Sequence, residues 1–244
     1  MLKGRLMFRH FHQDVQAVMT RDPAIHSKLE VFFCYPGFRA LRRHRRAHRA
    51  YEKGHFFRAR LISARTRKLT GIDIHPGAVI GEGLFIDHGA GVVIGETAVI
   101  GDHVTLYQGV TLGGTGKDTG KRHPTLGDGV TVGAGAKVLG PITIGNHVKI
   151  GAGAIVLRDV PDDCTVVGNP GRIVRRRQPA PEVDLNHIDL PDPMKDRMEG
   201  LYRRMTELEQ VLRRYVEALD QAHCPAITQK KDAEDETSSH TQHS

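Results

Sequence analysis

The fold is decided by residues 71–113, which read GIDIHPGAVIGEGLFIDHGAGVVIGETAVIGDHVTLYQGVTLG. Within this stretch an aliphatic residue recurs at every sixth position, and a glycine often follows it. The phase of the pattern slips by two residues at Val92 and Val93, and the same period returns from Leu126 to Val156. The aliphatic positions are Ile74, Ile80, Ile86, Val92, Ile94, Ile100, Leu106, Leu112, Leu126, Val132, Val138, Ile144, Ile150 and Val156.

A six-residue period fits neither an α-helix nor a flat alternating strand. It is typical of a prism of short strands, in which each side contributes one inward aliphatic residue before the chain turns a corner. A second small or aliphatic residue, such as Ala78, Ala90 or Ile142, follows four positions later and is also expected inside. Between Gly71 and Gly171 lie 23 of the 27 glycines, which suits corners where a Cβ atom would be strained.

The segments on either side of the prism have a different character. Apolar residues from Phe8 to Met19 keep helical spacing, Pro36 is suited to begin a helix, and Gly54 is suited to end one. After Arg172 the chain is rich in proline and aspartate, and its last residues are polar. The predicted α+β organisation is an N-terminal helical domain at 1–70, the prism at 71–175, a linker at 176–192, a C-terminal helix at 193–222 and a disordered tail at 223–244.

The composition excludes several classes of protein. Of the 244 residues 39% are hydrophobic, and the apolar stretches are short and broken by glycine or aspartate, so neither a membrane span nor a secretory signal is expected. The three cysteines, Cys34, Cys164 and Cys224, are too few and too widely spaced for a disulfide framework or a CxxC metal site. We therefore expect a protein of the reducing cytoplasm.

The chain is basic, with a net charge of +7 and a pI near 9.5. The positive charge is concentrated in residues 39–68. A solvated helical surface is favoured there over a nucleic-acid-binding surface, so nucleic acid is not the expected partner. Salt-dependent retention on DNA would distinguish the two interpretations.

The period is interrupted at residues 113–125, which read GGTGKDTGKRHPT. This segment is predicted to leave the prism as an excursion, and loops carried on a rigid scaffold often hold functional residues. Its first residues resemble a phosphate-binding loop, but they lack the GxxxxGK[ST] spacing between a strand and a helix. A nucleoside triphosphatase is therefore disfavoured.

Four phrases carry a family resemblance: GIDIHPGAVIGEG, LFIDHGAGVVIGETAVIG, TLGGTGKDTGKRHPTLGDGV and VVGNPGRIV. With the repeats around them, they resemble serine O-acetyltransferase, a member of the left-handed β-helix acyltransferase superfamily. The resemblance covers about residues 22–175. It implies a left-handed parallel β-helix and transfer of acetyl from acetyl-CoA to the hydroxyl of L-serine, which gives O-acetyl-L-serine and CoA as the first step of cysteine synthesis from serine.

Six residues match the catalytic and substrate positions of that family. His88 interrupts a hexad position that is normally small or apolar, so its imidazole is expected to point outward, and the resemblance makes it the general base. Asp73 lies close to one coil earlier in the chain, and the resemblance pairs it with His88 to orient the imidazole. Substrate positions implied by the resemblance are Asp22, Asp87, Arg122 and His123.

Arg122 and His123 lie in the excursion and suit different parts of an amino-acid substrate. The planar guanidinium of Arg122 can hold a carboxylate, and His123 can hydrogen-bond the substrate and the developing charge. In the family this loop pair faces the dyad of a neighbouring subunit. The resemblance places coenzyme A along four further positions, where small residues permit close approach and a lysine can meet phosphate: Gly114, Ala134, Lys149 and Ala152.

Other functions remain open on the same scaffold. A hexapeptide-repeat acyltransferase for a sugar or nucleotide-sugar acceptor would share the prism and the histidine base, but it would not need two acidic groups and an arginine. A γ-type carbonic anhydrase would need three histidines on zinc, and the histidines here show no such pattern, so no metal is expected.

The C-terminal helix carries an apolar seam with alternating three- and four-residue spacing. This predicts a homotrimer with a parallel C-terminal bundle, although one amphipathic helix packed on its own subunit would give the same pattern. With about 70 residues before the prism, a hexamer of the kind many family members form is not expected. The seam consists of Met198, Leu201, Met205, Leu208, Leu212, Tyr215 and Leu219.

The resemblance also bears on an inhibitor and on a protein partner. L-cysteine has the zwitterion of serine and a similar side chain, so it is expected to inhibit by occupying the serine site. The family also docks on O-acetylserine sulfhydrylase through a C-terminal isoleucine. This chain ends in Thr241-Gln242-His243-Ser244, and a polar terminus does not fill an apolar pocket, so that complex is not expected.

Overall fold

The computed structural model describes residues 2–116, 119–176 and 193–223. Residues 177–192 of the predicted linker (176–192) and residues 224–244 of the predicted tail (223–244) lie outside the described residues. Pro36 begins the third helix, and Gly54, with a φ of 76°, follows its end. The helices are α1 (Leu2–Arg21), α2 (Lys28–Phe33), α3 (Pro36–Glu52), α4 (Phe56–Thr70) and α5 (Pro193–His223).

The prism has three faces of short strands, and the chain visits them in a fixed order. Face 1 contains β1 (Asp73–Ile74), β4 (Val93–Ile94), β7 (Thr111–Gly113), β10 (Lys137–Leu139) and β13 (Ile155–Val156). Face 2 contains β2 (Val79–Ile80), β5 (Val99–Ile100), β8 (Thr125–Leu126) and β11 (Thr143–Ile144). Face 3 contains β3 (Phe85–Ile86), β6 (Thr105–Leu106), β9 (Thr131–Val132), β12 (Lys149–Ile150), β14 (Cys164–Val167) and β15 (Arg172–Arg176).

Neighbouring coils pair in parallel, and only the pair β14–β15 is antiparallel among the described strands. The predicted fold class is confirmed: N-terminal helices, a left-handed β-helix of hexapeptide repeats with an excursion, and a C-terminal helix. The excursion occupies the connection from β7 to β8, of which Lys117 and Asp118 lie outside the described residues.

The inward positions form one continuous core along the prism. Leu106, Leu112, Val132 and Ile150 are fully buried there. The prediction for Ala90 is wrong, because Ala90 is exposed and Val92 is the buried residue of that hexad. The corner between β3 and β4 is two residues longer than the others of its kind, and the extra length carries Ala90 out of the core.

A ladder of side chains joins the corners between faces 2 and 3. The backbone N–H of Asp102 donates to Asp128 Oδ1 at 2.7 Å, and that of Asp128 donates to Asn146 Oδ1 at 2.9 Å. The ladder continues from the Asn146 N–H to Asp162 Oδ1 at 2.7 Å. Each carboxylate or amide thus satisfies a corner N–H that the strands leave unpaired.

The helices α1–α4 pack on the first coil of the prism. Gly37 lies so close to Ile86 that a Cβ atom would collide with the Ile86 carbonyl oxygen. Arg45 crosses from α3 to the prism, where it pairs with Asp14 at 3.0 Å and donates to the carbonyl of Gly81 at 2.9 Å. These contacts fix the helices against the corner that precedes β3.

Burial also shapes the charge state of the helical layer. His44 lies wholly inside α3's contact with the prism, and desolvation lowers its pKa to about 3. The imidazole is therefore neutral at physiological pH.

No helix of the described residues is long and apolar enough to cross a membrane.

The helix α5 belongs to a compact unit separate from the rest of the described chain. Its apolar seam is on the surface of that unit, and the side chains along it are between 49% and 69% exposed. Met198 and Tyr215 mark these two limits.

Shortening a side chain to alanine should destabilise the protein far more in the prism core than at an exposed corner. Leu106→Ala removes a fully buried side chain, so we expect the free energy of unfolding to fall by about 2–5 kcal/mol. The matched control is Leu157→Ala, at a corner where the side chain is 50% exposed, with an expected loss below about 1 kcal/mol. Urea denaturation at one protein concentration measures both, and equal losses would contradict the stacked core.

Candidate active site

Two edges of the prism carry the residues singled out from the sequence. Edge 3–1 is formed by the corners from face 3 to face 1, at residues 87–92, 107–110, 133–136 and 151–154. Edge 1–2 is formed by the corners from face 1 to face 2, and it includes residues 95–98 and the excursion. Asp87 and His88 lie on edge 3–1, whereas Arg122 and His123 lie on edge 1–2.

His88 stands at the longest corner of edge 3–1, with its side chain 77% exposed. Its Nε2 lies 4.0 Å from Asp87 Oδ1. The backbone is left-handed at this residue, with a φ of 55°, but His103 and His147 adopt the same conformation at 57° and 55° on another edge. The backbone conformation therefore does not distinguish His88 from His103 and His147. The residues around His88, beginning with Asp87, do so.

Tyr35, which the sequence analysis missed, joins two of the predicted substrate residues. It precedes α3, and its hydroxyl donates to Asp87 Oδ1 at 3.0 Å. Burial raises the pKa of Tyr35, and the carboxylates of Asp87 and Asp22 raise it further. Asp22 thus faces the same hydroxyl from the end of α1, where it also accepts the Ala24 N–H at 2.8 Å.

This arrangement leaves negative charge in need of a partner. One hydroxyl proton can serve only one carboxylate, and neither Asp22 nor Asp87 has an arginine or lysine partner within the described residues. Tyr107, one coil along the same edge, has its pKa raised by burial and by Asp87. The cluster therefore suits a cationic group, such as an ammonium, beside His88.

Asp73 lies at the same edge as His88 but has another partner. Its Oδ2 accepts from Arg67 Nη1 at 3.3 Å, and its Oδ1 has no hydrogen-bond partner in the described part of the chain. The coils are in close contact here, because a Cβ atom at Gly89 would meet the side chain of Ile72. Asp73 and His88 are therefore neighbours in the fold that share no hydrogen bond in this structure.

Thr97 fastens the excursion to edge 1–2. Its Oγ1 accepts the backbone N–H groups of Arg122 at 3.0 Å and His123 at 3.1 Å. The Lys121 ammonium donates to the Thr97 carbonyl at 2.7 Å. A Cβ atom at Gly95 would collide with the His123 ring, so glycine makes room for this packing.

The hydrogen bonds of His123 define its tautomer. The backbone N–H of Thr97 donates to His123 Nδ1 at 3.2 Å, so Nδ1 is unprotonated and Nε2 carries the proton. Burial lowers the pKa of His123, and the neighbouring Arg122 charge lowers it further. His123 is therefore a neutral imidazole that offers an Nε2–H donor.

Arg122 is held by a second network. Its Nη2 donates to Glu96 Oε2, and Glu96 Oε1 accepts from the Tyr51 hydroxyl at 2.9 Å. The hydrogen bonds from Arg122 and Tyr51 lower the pKa of Glu96. The guanidinium is thus oriented through Nη2, and no further hydrogen bond of its N–H groups is seen within the described residues.

The four predicted coenzyme positions are divided between the two edges. Ala134 and Ala152 follow one another on edge 3–1, two coils or more beyond His88, and Lys149 lies on the adjoining face 3. Gly114 instead lies on edge 1–2, where a Cβ atom would come within 3.2 Å of His123 Nε2. Small residues therefore leave the backbone of edge 3–1 open, which fits a long, narrow co-substrate.

Among the residues with described side chains, no group of three His, Cys, Asp or Glu is placed to hold a metal ion. His123 hydrogen-bonds to Thr97, whereas His88 Nε2 lies 4.0 Å from Asp87 Oδ1, beyond hydrogen-bond distance.

Comparisons with known proteins agree with this geometry. Family models described as "Serine acetyltransferase, N-terminal" and "Bacterial transferase hexapeptide (six repeats)" match residues 3–43 and 123–158. The serine acetyltransferase of Bacillus subtilis is 52% identical over 216 residues, which is 88% of this chain and 100% of the relative.

Two solved structures are also similar to the chain. The serine acetyltransferase of Neisseria gonorrhoeae in complex with serine is 42% identical, with a TM-score of 0.69 over 71% of each chain. A serine acetyltransferase in complex with cysteine is 40% identical, with a TM-score of 0.70 over 72% of this chain and 69% of the other.

Loss of the Thr97 hydroxyl should release the excursion. Thr97→Val leaves two backbone N–H groups without an acceptor, so we expect trypsin to cleave after Lys121 and Arg122 at least about tenfold faster. Thr97→Ser keeps the hydroxyl and should behave as the wild type. Gel-based cleavage rates under native conditions measure the effect, and equal rates for all three proteins would show that Thr97 does not hold the excursion.

Proposed function

The chain belongs to the serine acetyltransferase family, and we propose that it uses His88 to transfer the acetyl group of acetyl-CoA to the hydroxyl of L-serine. The observation that carries this proposal is the cluster of Asp22, Tyr35 and Asp87 beside His88. Two carboxylates next to a histidine on an acyltransferase prism suit a substrate that has both an ammonium and a hydroxyl. The products are O-acetyl-L-serine and CoA.

In this reaction His88 acts as the general base. It accepts the proton of the serine hydroxyl while the serine oxygen forms a bond to the thioester carbon. As the C–S bond breaks, the imidazolium returns the proton to the sulfur of CoA. The free Oδ1 of Asp73 receives the other N–H of His88, and Arg67 holds the opposite oxygen of that carboxylate.

The remaining polar residues position the two substrates. The serine ammonium lies between Asp22 and Asp87, and the serine carboxylate binds the guanidinium of Arg122. The Nε2–H of His123 donates to the developing negative charge. A sugar acceptor has no ammonium for this acidic pair, so the alternative sugar acyltransferase is disfavoured.

Acetyl-CoA is expected to lie along edge 3–1, where Ala134 and Ala152 leave room, and Lys149 on the adjoining face 3 is proposed to meet a phosphate. Gly114 contributes from the other edge. L-cysteine is proposed to occupy the serine site, as an inhibitor with the same zwitterion, and a similar enzyme has been solved with cysteine bound. Docking on O-acetylserine sulfhydrylase is not part of the proposal.

Replacing His88, the proposed general base, should strongly lower kcat without unfolding the chain. We expect His88→Ala to lower kcat by at least about 100-fold, with CoA binding largely unchanged. The matched control is His103→Ala, which removes an imidazole from the same left-handed backbone conformation at another edge. Thiol release from acetyl-CoA with serine measures turnover, and near-native activity of His88→Ala would exclude the proposed mechanism.

We further propose that the site is completed by a second subunit of a homotrimer. His88 and Arg122 lie on different edges of one rigid prism, with face 1 between them, so a single chain does not bring them to one substrate. In a three-fold assembly, edge 1–2 of one subunit faces edge 3–1 of the next. The exposed apolar seam of α5 supports the same assembly through a parallel bundle.

Complementation tests the shared site directly. His88→Ala and Arg122→Ala should each be nearly inactive, but trimers assembled from a 1:1 mixture should regain about one quarter of wild-type activity, because that fraction of interfaces joins two intact halves. Light scattering on the full chain checks the trimer. A mixture no more active than the single variants would show that each site lies within one chain.

A further inference from the structure

The outer surface of α3 and α4 forms a groove that the proposed reaction does not use. It has a volume of about 720 Å³, and no carboxylate is found among the described residues that line it. Six cationic side chains converge on it, and we call it the basic groove: Arg43, Arg46, Arg49, Lys53, Arg58 and Arg65. None of the residues proposed for catalysis or for substrate binding is among its lining residues.

The two helices hold these cations in a fixed arrangement. A tight turn joins α3 to α4, in which the His55 N–H donates to the Ala50 carbonyl at 2.9 Å and Gly54 adopts a φ of 76°. Along α3, the rise from Arg43 to Lys53 is about 15 Å at 1.5 Å per residue. Arg58 and Arg65 follow the facing side of α4 two helical turns apart, so the groove has a positive wall on both sides.

Two arginines of α3 that do not line the groove have partners elsewhere. Arg45 is paired with Asp14, and the Arg42 guanidinium lies 4.2 Å from the centre of the Phe32 ring. In contrast, Arg43, Arg46, Arg58 and Arg65 form no ion pair within the described residues. Burial lowers the pKa of Arg42, and the charges of Arg46 and Arg43 lower it further. Arg43, Arg46, Arg58 and Arg65 thus crowd positive charge together without an ion-pair partner in the described part of the chain, and like charges close together on helices are destabilising.

The shape and chemistry of the groove select one class of ligand. Guanidinium groups match the oxygens of phosphate, and five of the six cations are arginines. A concave site of this volume is typical of small-molecule binding. Its lining has no Phe, Tyr or Trp on which unpaired bases would stack, which disfavours single-stranded nucleic acid.

We propose that the basic groove binds a small ligand that carries several phosphate groups in a row. The phosphates contact the arginines of both helices, and Ile62 and Leu69 provide an apolar surface for any organic part. An inorganic oligophosphate and a nucleoside triphosphate share this chemistry. The inference is independent of the proposed catalytic mechanism, because it uses neither edge of the active site.

Calorimetric titration of the full-length protein tests the proposal with two probes, tripolyphosphate and ATP. We expect binding of at least one probe, and a loss of at least about tenfold in affinity for the double variant Arg46→Glu/Arg58→Glu. The matched control is Lys28→Glu/Arg158→Glu, which makes the same change in net charge at exposed positions elsewhere. It should keep its affinity within about twofold. Tighter binding of ATP would identify a nucleotide, and equal affinities would identify the phosphate chain alone.

Several outcomes would overturn the proposal. The first is that neither probe binds to the wild type. The second is an equal loss of affinity in the groove variant and in the control variant, which would indicate that the probes are attracted by net charge only. Tighter, groove-dependent binding of a DNA duplex would indicate a nucleic-acid surface instead. A raised KM for acetyl-CoA in the groove variant would assign the groove to the co-substrate. Arg46→Gln/Arg58→Gln provides a milder variant if charge reversal prevents folding.

Discussion

The structure depends on filling a narrow interior with one aliphatic side chain per strand. Each coil hydrogen-bonds to the next through parallel strand pairs, and the buried residues of one coil stack on those of the neighbouring coil. This interior admits aliphatic and small side chains only, so the repeat leaves little freedom at its inward positions. Polar side chains therefore lie at the corners and at the outward-facing strand positions, and at the corners chain length and residue type can vary without opening the core.

The corners are rigid, and their separation has a chemical consequence. The longer corner after β3 presents Asp87 and His88, and the excursion after β7 presents Arg122 and His123. Because face 1 separates these groups, the prism keeps an acidic and a cationic half-site apart within one chain. Subunit assembly is then a requirement for the proposed chemistry, since no loop motion within a stacked prism exchanges one edge for another.

The helical domain has two surfaces of opposite electrostatic character. Its inner surface supplies Asp22 and Tyr35 to the acidic cluster, and Arg45 is neutralised there by Asp14. Its outer surface collects the six cations of the basic groove, and no Asp or Glu is among the described residues that line this groove. The net charge of the chain alone does not reveal this division, because the helical period sends residues only a few positions apart to opposite sides.

The sequence by itself determined the prism, its faces, the position of the excursion and the placement of Asp87 and His88 at one corner. The six-residue period is a local sequence pattern that indicates which positions face the interior, so it can be recognised without knowledge of tertiary contacts. The tertiary structure decided that Val92 rather than Ala90 is inside, that Tyr35 reaches Asp87, that Arg67 holds Asp73, and that Thr97 sets the tautomer of His123. These features arise where one element packs on another that is distant in the chain. No local pattern encodes such contacts, because they depend on the relative placement of helices, corners and excursion in three dimensions.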